Sequence, residues 1–358
     1  MASERLPPKK PMRPVPRGCA GGFFPGRYKT RPEDFVVEEI PAYVPSGSGD
    51  HVWLWVEKRG LSTMDLLHAL AERLDRDERE FGIAGLKDAQ AVSRQWVSIE
   101  RADVRACEGL VGEGFTVLAC SRHGNKLRMG HLRGNRFVVT LRGASADDLP
   151  KAQQNLAELA RRGVPNYFGE QRFGKRGANL QKGLDVLAGD ARQFAARMPR
   201  RVFGLVLSAV QSEVFNRVVR ARLATLDRFL PGDLAFLHKN GAVFAVADPV
   251  REQARADALE VSPTGPMPGP EMPMPTGEVA VIEAAAVAEL GLDVGAFGRM
   301  PYRIARGERR PLRVPLGEPA AALVEGGLQL TFGLPRGSYA TSVLRELLDD
   351  TIWFGGGD

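Results

Sequence analysis

Residues 83–88 (IAGLKD) end on Asp88, an acidic side chain that could act as a nucleophile or as a base. The segment follows the polar end of a predicted helix and precedes a strand predicted over residues 92–99 (VSRQWVSI). Asp88 would therefore lie in a loop between packed elements, where functional residues held by a scaffold concentrate. An aspartate in a loop is also a common turn former or helix cap. The spacing alone leaves both interpretations open.

Several familiar catalytic motifs are missing from the sequence. It contains no Walker A sequence, no strand followed by GxGxxG, no HExxH and no GxSxG. The five histidines show no metal-ligand spacing, and the three cysteines, Cys19, Cys107 and Cys120, are far apart. We therefore expect no metal site and no disulfide framework, and we expect a reducing, cytoplasmic environment.

Basic residues cluster along the 358-residue chain, whose net charge is +6. Residues 1–31 carry eight lysines and arginines against a single acid, Glu4. Three further clusters follow: Arg122, Lys126, Arg128, Arg133 and Arg136; Arg161, Arg162, Arg172, Lys175 and Arg176; and Arg303, Arg306, Arg309, Arg310 and Arg313. Such clusters suit a polyanion, because much of the affinity for nucleic acids comes from neutralising phosphates. The alternative is a solubilising surface on an arginine-rich protein.

Hydrophobic periodicity predicts a mixture of strands and helices. Strands are predicted over residues 51–57, 92–99, 115–120, 136–142 and 328–334. A helix is predicted to begin at Ser62, which could form a capping box with Asp65. Further helices are predicted over residues 149–160, 206–225 and 338–350. Because these elements do not alternate regularly as βαβ units, the pattern indicates an α+β fold.

Three other stretches predict turns or irregular structure. Asn240-Gly241 separates LAFLHK from AVFAVA, which is a strong signal for a two-residue hairpin. Residues 262–277 contain six prolines and three glycines and predict an irregular loop. Residues 1–26, rich in Pro, Gly and basic side chains, predict a flexible basic arm. No run of 18 or more apolar residues occurs, so the sequence indicates no membrane span.

Six ordered motifs resemble those of one known family. Residues 84–96 (AGLKDAQAVSRQW) resemble the active-site segment of the TruD family of tRNA pseudouridine synthases. The other five are KxxPEDFxV from Lys29, GNxF from Gly134, PNYFGxQRFG from Pro165, LSA from Leu207 with FN from Phe215, and PxGSYAT from Pro335 with REL from Arg345. The resemblance covers roughly residues 25–350.

The resemblance implies a pseudouridine synthase fold, which is an α+β fold with a central mixed, mostly antiparallel sheet and an inserted family-specific α+β domain. After the arm, residues 27–164 would form the first part of the catalytic domain and residues 306–358 its second part. Residues 165–305 would form the insert. The implied activity is the isomerisation of uridine to pseudouridine at position 13 of certain tRNAs. It would need no cofactor, no metal, no membrane and no obligate protein partner.

The resemblance also assigns roles to particular side chains. Asp88 would be the catalytic carboxylate, and Lys29 the cation that keeps it ionised. The target base must leave its stack, and Phe137 would stack on it. By periodicity alone Phe137 would instead be a core residue of its strand. The remaining candidates for contact with substrate are Asn135, Gln171 and Arg172.

Two rival functions stay open on the sequence. The first is a non-catalytic RNA-binding protein of the same fold, although the intact set of Asp88, Lys29 and Phe137 argues against it. The second is a hydrolase that uses Asp88 on a small substrate, for which the basic clusters would have no purpose. Turnover on uridine-containing tRNA distinguishes the leading interpretation from both.

Overall fold

A large mixed β-sheet dominates the computed structural model, which describes residues 17–301 and 304–349. The strands are β1 Phe35–Pro41, β2 His51–Arg59, β3 Phe81–Ile83, β4 Val92–Glu100, β5 Val111–Gly112, β6 Phe115–His123, β7 Leu132–Arg142, β8 Val164–Pro165, β9 Leu234–Leu237, β10 Val243–Ala245, β11 Val261–Met267, β12 Glu308–Pro311, β13 Arg313–Val314, β14 Gly317–Val324 and β15 Gly327–Pro335. Nine of them form the large sheet, in the order β14-β15-β7-β1-β4-β2-β6-β5, with β3 paired to β4.

The strand directions match the predicted fold class. Only β1 and β4 run parallel among the pairs of this sheet in the described chain, with Val36 opposite Val92. The other pairs are antiparallel. Strands from the two ends of the chain join in one sheet, because β15 pairs with β7 along its whole length. The prediction of an α+β fold with a mixed, mostly antiparallel sheet is confirmed.

The helices are α1 Thr63–Leu74, α2 Val104–Cys107, α3 Leu149–Arg162, α4 Ala178–Ala188, α5 Ala191–Arg197, α6 Arg200–Ala221, α7 Pro249–Asp257, α8 Gly277–Ala288 and α9 Ala340–Leu347. Helix α1 begins with the predicted capping box. The Asp65 N–H donates to Ser62 Oγ at 3.2 Å, and the Ser62 N–H donates to Asp65 Oδ2 at 2.9 Å. This box satisfies backbone donors that the first turn of a helix cannot pair internally.

Two apolar clusters cover the same face of the large sheet. Leu66 and Leu70 of α1 pack with inward-facing residues of β2, while helices α3 and α9 pack with β7 and β15. Val37 is in register with Ser93 on one side and with Phe137 on the other. Since neighbours in register point to the same face of a sheet, α1 lies on the same side as α3 and α9. The central strands β1 and β4 lie between these two groups of helices.

A second, smaller sheet is formed by β10, β9, β11 and β12. The predicted hairpin is present, because β9 and β10 pair antiparallel, but its two-residue turn is wrong: the Leu237 N–H donates to the Ala242 carbonyl, so residues 238–241 form a four-residue loop that contains Asn240-Gly241. The sheet includes Glu308–Pro311 and so continues past residue 305. Helix α6 packs near it and is the one helix in the described residues that is long and apolar enough for a membrane span by length and composition. With 72% of that window buried, it resembles the core helix of a globular protein.

The prediction of an irregular loop over residues 262–277 is wrong at both ends. Residues 261–267 form β11, which is buried throughout, and α8 begins at Gly277. Proline is compatible with a strand where its missing N–H is not needed. The Pro263 carbonyl accepts a hydrogen bond from the Leu312 N–H at 2.8 Å, while the Thr264 hydroxyl donates to the Leu234 carbonyl at 2.8 Å. Acceptors and a side-chain donor thus bind this strand to its neighbours.

The predicted flexible arm also needs correction where the structure describes it. Residues 1–16 lie outside the described part, but residues 17–26 pack against the end of the chain. The Phe24 side chain is buried, and the Phe24 N–H donates to the Leu347 carbonyl at 3.1 Å. The backbone N–H groups of Gly18 and Cys19 donate to Glu346 Oε2 at 2.6 and 3.1 Å. The buried side chains of Cys19 and Phe24 hold residues 17–26 against the rest of the protein, although the average composition of this segment predicts a flexible arm.

Candidate active site

Asp88 and Lys29 meet near the adjacent starts of the central strands β1 and β4, although they are 59 positions apart in the sequence. The Lys29 ammonium donates to Asp88 Oδ2 at 2.5 Å, and the Gln90 N–H donates to Oδ1 at 3.1 Å. The Asp88 side chain is 49% exposed and that of Lys29 is 24% exposed. A charge-assisted hydrogen bond therefore lies at an open surface, within reach of a bound ligand.

The backbone at Lys29 is in an uncommon conformation, with φ at +58°. Left-handed backbone is costly for a residue other than glycine, by about 1–3 kcal/mol, and such strain concentrates at functional sites. In this conformation the ammonium contacts Asp88 and lies 4.7 Å from the centroid of the Phe35 ring. Packing on an aromatic face and pairing with a carboxylate together fix the position of this cation.

The electrostatics around Asp88 favour its ionised form. Partial burial is the largest influence, and it raises the pKa of the carboxyl group. The hydrogen bonds from Lys29 and from the Gln90 N–H, with the positive charges of Lys29 and Lys58, outweigh burial and hold the pKa of Asp88 below its ordinary value. A carboxylate that must attack or accept a proton is therefore deprotonated at neutral pH.

The loop that carries Asp88 is bound to α1 and β1. The Lys87 N–H donates to Thr63 Oγ1 at 2.8 Å, at the first turn of α1. The Lys87 ammonium points away from Asp88 and donates to Glu39 Oε2 at 2.8 Å, in a buried ion pair. Burial raises the pKa of Glu39, although Lys87 acts in the opposite direction. Lys87 therefore anchors the loop, while the side chain of its neighbour Asp88 faces the solvent.

Lys58 is part of this site and was missed by sequence reasoning. Its buried ammonium donates to the Asp88 carbonyl at 2.8 Å and to the Leu61 carbonyl at 2.6 Å. Burial lowers the pKa of Lys58 to about 8, and Lys87 acts in the same direction, against the attraction of Asp88 and Asp65. A signal existed in the sequence: Lys58 falls on the alternation that buries Val52, Leu54 and Val56. A charge on the core face of a strand requires a partner.

Phe137 lies in the core beneath the ion pair. Its side chain is 6% exposed, and its ring is 6.0 Å from Phe35 and 5.5 Å from Phe332, measured between centroids. The packing expected from periodicity is therefore present. Phe35 bridges the space between Phe137 and the Lys29 ammonium, so the aromatic cluster extends from the core to the cation.

Asn135 is two residues before Phe137 on β7 and does not bond to Asp88 in the structure. Its side-chain oxygen is buried and has no hydrogen-bond partner among the described residues. Most buried polar atoms in folded proteins are paired, so an unpaired acceptor beside an open site calls for an explanation. An N–H group of a ligand would supply the missing donor.

Gln171 and Arg172 lie in a different segment, the short helical turn Glu170–Phe173. Gln171 is exposed, whereas the Arg172 guanidinium is 5.3 Å from the Phe168 ring centroid and its Nε donates to Ser212 Oγ at 3.3 Å. Neither touches Asp88. Burial raises the pKa of Tyr28, the neighbour of Lys29, and the charge of Glu170 in this turn acts in the same direction.

Candidate metal ligands are not grouped in the described residues: no three His, Cys, Asp or Glu side chains there could hold one ion together. The three cysteines are free, as expected from their spacing. The ionisable groups that the structure does bring together at this site are Asp88, Lys29 and Lys58.

The sheet topology and the site define a protein with the pseudouridine synthase fold. The chain matches the crystal structure of a Methanosarcina mazei protein assigned as tRNA pseudouridine synthase D (TruD), with a TM-score of 0.78 and 23% identity over 93% of this chain and 95% of that one. The family model of TruD, tRNA pseudouridine synthase D, matches residues 21–203 and 190–347. The chain belongs to the TruD family, as its motifs predicted.

Relatives in several bacteria support this membership. A tRNA pseudouridine synthase D of Geobacter metallireducens is 41% identical, over 90% of this chain and 95% of the relative. A protein of the same description from Thermus thermophilus is 42% identical, over 90% of this chain and 88% of the relative. An Anaeromyxobacter protein, also described as tRNA pseudouridine synthase D, is 44% identical over 90% and 92%.

Proposed function

We propose that this protein isomerises uridine to pseudouridine in tRNA and that Asp88 is its catalytic carboxylate. The observation that carries the proposal is the pairing of Asp88 with Lys29 at an open surface, in a chain of the TruD family. The relatives are described as tRNA pseudouridine synthases, which supports tRNA as the substrate. We assign the target to position 13, which the motif resemblance implies, and the activity to the cytoplasm.

The reaction needs a deprotonated carboxylate by each route open to it. The bond between C1′ of the ribose and N1 of uracil breaks, the base rotates, and C1′ bonds to C5. The C5 proton is then lost and N1 gains one, so atoms balance without a cofactor. A carboxylate can attack the sugar, attack the base or remove a sugar proton. Each route uses Asp88 in the form that Lys29 and Lys58 favour.

We assign the recognition of the flipped base to β7. A base that leaves its stack loses contacts that an aromatic face partly replaces, worth about 1–3 kcal/mol per base. Phe137 lies under the Lys29–Asp88 pair with a small exposed edge, and the unpaired Asn135 oxygen could accept a hydrogen bond from an N–H of uracil. Gln171 and Arg172 are assigned to contacts with the RNA outside the base pocket.

We further infer that residues 165–305 form an insert within the catalytic domain. Two observations support it. Strands of the large sheet come from residues 35–142 and 317–335, whereas three of the four strands of the second sheet lie within residues 165–305 and the fourth, Glu308–Pro311, follows directly after them. One apolar cluster joins residues near both ends of the described chain, from Cys19 to Leu348, without residues of the proposed insert.

The experiment that tests the proposed function compares tRNA from cells with and without this protein. Mapping pseudouridine across total tRNA should show a single class of site, position 13 of certain tRNAs, that loses its modification when the gene is deleted. A plasmid copy of the wild type should restore it, and a copy carrying Asp88→Asn should not. Identical maps with and without the gene would rule out the proposal and favour the non-catalytic RNA-binding alternative.

A further inference from the structure

Two arginines from distant parts of the chain share one aromatic ring. The guanidinium carbon of Arg310 is 4.2 Å from the centroid of Phe168, and that of Arg172 is 5.3 Å from the same centroid. Arg310 belongs to β12, and Arg172 to the turn that follows β8. Phe168 in turn packs edge-on against Phe215 of α6, with 5.6 Å between centroids, so the ring that holds both cations is fixed.

Within the described residues, no carboxylate lies within ion-pair distance of either guanidinium. Arg309 and Arg222, for comparison, are paired with Glu283 and Asp233. Arg310 Nη2 donates to Asn166 Oδ1 at 2.6 Å and to the Gly337 carbonyl at 3.0 Å, while its Nε is buried without a partner. Arg172 uses only Nε, toward Ser212. The Nη1 group of Arg310 and both terminal N–H₂ groups of Arg172 make no hydrogen bond within the described residues and can bind an anion.

Arg310 keeps its positive charge at neutral pH despite its burial. Burial lowers the pKa of Arg310 to about 10, and the charge of Arg172 acts in the same direction, against Tyr339 and Glu308. Two cations held close together repel each other, and burial makes this repulsion stronger than it would be in water. A bound anion would relieve that repulsion and supply the missing hydrogen-bond acceptors.

The arginine pair is linked to the catalytic loop through the turn after β15. Gly337, which accepts from Arg310, follows Arg336, whose Nη1 donates to the Gly130 carbonyl at 3.0 Å. The Gly130 N–H in turn donates to the Ala84 carbonyl at 2.8 Å, four residues before Asp88. A ligand bound to Arg310 would thus be connected, through Gly337, Arg336 and Gly130, to the segment that carries Asp88.

We propose that Arg172 and Arg310 form a clamp for one backbone phosphate of the bound RNA. The proposal rests on the proposed function, since it takes the ligand to be the tRNA substrate. The planar guanidinium fork matches the oxygens of a phosphate in a bidentate manner, which a lysine cannot do. Stacking on Phe168 keeps both forks in place before the RNA arrives, so less conformational entropy is lost on binding.

The test is the salt dependence of tRNA binding by full-length protein carrying Arg172→Gln or Arg310→Gln. Each lost phosphate contact lowers the slope of log affinity against log salt by about 0.7–0.9. Both variants should show that loss. The matched control is Arg217→Gln, which removes the same charge from an arginine already paired with Glu213 and Glu289 and should leave the slope unchanged. Arg310→Lys should keep the slope yet bind more weakly.

Each result decides the matter. A lower slope in Arg172→Gln supports the clamp, and an unchanged slope overturns it, whether or not Arg310→Gln folds, because Arg172 makes a single side-chain hydrogen bond. A loss of the same size in Arg217→Gln would overturn it too, since the effect would then follow net charge alone. Wild-type protein that binds tRNA with a steep salt slope but forms no pseudouridine would disprove the proposed function and leave the clamp to be judged by these variants.

Discussion

At the scale of the residue, the site is a carboxylate whose ionisation is set by two lysines with different tasks. Lys29 contacts the side chain of Asp88 directly, and Lys58 contacts its backbone carbonyl from below. The first cation is partly exposed and the second is buried. We therefore expect the removal of Lys29 to change the reaction rate at low pH and the removal of Lys58 to change it at high pH.

Lys29→Met should slow catalysis most at low pH. The substitution removes the hydrogen bond and the charge that lower the pKa of Asp88, while burial, which raises it, remains. The acid limb of the rate profile should then move up by roughly one pH unit or more. Single-turnover rates on a tRNA transcript across pH measure it, with Lys29→Arg as a control that keeps the charge. An acid limb at the wild-type position in Lys29→Met would contradict the role of Lys29.

Lys58 should produce an alkaline limb. Because its pKa is lowered to about 8, the ammonium loses its proton above that pH and no longer holds the Asp88 loop as a cation. Lys58→Arg stays charged and should move the limb to higher pH, whereas Lys58→Met should be slow throughout and lack the limb. A wild-type rate that stays flat through this range, with no difference in the arginine variant, would rule out the role of Lys58.

The role of Phe137 can be separated from its packing by comparison with Phe332. The two rings stack on each other in one core, with 5.5 Å between centroids. Replacing either with leucine should cost similar stability, about 1–3 kcal/mol, as judged by denaturant unfolding. Only Phe137→Leu should lose most of its single-turnover activity, because only Phe137 is proposed to contact the base. Equal activity in the two folded variants would remove Phe137 from the site.

The residue types of the site were largely predictable, because Asp88, Lys29 and Phe137 belong to contiguous motifs. Their arrangement was not. Lys87 bonds to Glu39, and Lys58 bonds to the Asp88 carbonyl. Both contacts depend on the pairing of β1, β2 and β4, which no short motif contains. Gly85 is a smaller example: a side chain there would meet only ordinary contacts, so the space around it does not require the glycine of the motif.

At the scale of the element, the first turn of α1 positions the loop that carries Asp88. Thr63 accepts the Lys87 N–H and donates to the Gln95 amide oxygen on β4 at 3.0 Å. The helix start thus contacts both sides of the loop that carries Asp88. The neighbouring residue Ser62 caps the helix without touching that loop, which provides a matched pair for experiment.

Thr63→Val should reduce activity more than Ser62→Ala does at comparable stability. Loss of the cap costs about 0.5–2 kcal/mol, and leaving the buried Lys87 N–H without an acceptor costs about 1–3 kcal/mol. Only the second change frees the Asp88 loop. Thermal unfolding and single-turnover rates measured on both variants test this. If the two variants lose activity in proportion to stability alone, the loop is not positioned by Thr63.

The elements that sequence patterns predicted incorrectly share a physical cause. Proline content indicated a loop over residues 262–277, yet β11 forms there because it is bound through carbonyls and the Thr264 hydroxyl. Basic composition indicated an arm before residue 26, yet Phe24 is buried against the end of α9. In both places the structure is determined by contacts with residues that are distant in the sequence, and the composition of the segment itself does not indicate these contacts.

At the scale of the whole molecule, the two ends of the chain build one catalytic framework. Strands β14 and β15 complete the sheet that β1 to β7 begin, and the segment around Glu346 fixes residues 18 and 19. Arg128, Arg133, Lys175 and Arg306 are exposed on the catalytic segments and the proposed insert, whereas Arg309 and Arg313 of the predicted basic clusters are buried and cannot contact RNA. We expect tRNA affinity to be spread over many phosphate contacts of the exposed residues. Removing one small group at the reacting centre should therefore leave binding nearly intact while removing catalysis.

The most direct test is single-turnover conversion of a matching tRNA transcript by Asp88→Asn, with tRNA binding measured in parallel. Asparagine has nearly the same shape but cannot attack or accept a proton as the carboxylate does. Loss of such a group costs a factor of about 10⁴ or more, which corresponds to roughly 5 kcal/mol in the barrier. We predict a folded protein that binds tRNA at least as tightly as wild type and forms no measurable pseudouridine. A folded Asp88→Asn variant that keeps even about a tenth of the wild-type rate would contradict the assignment of Asp88.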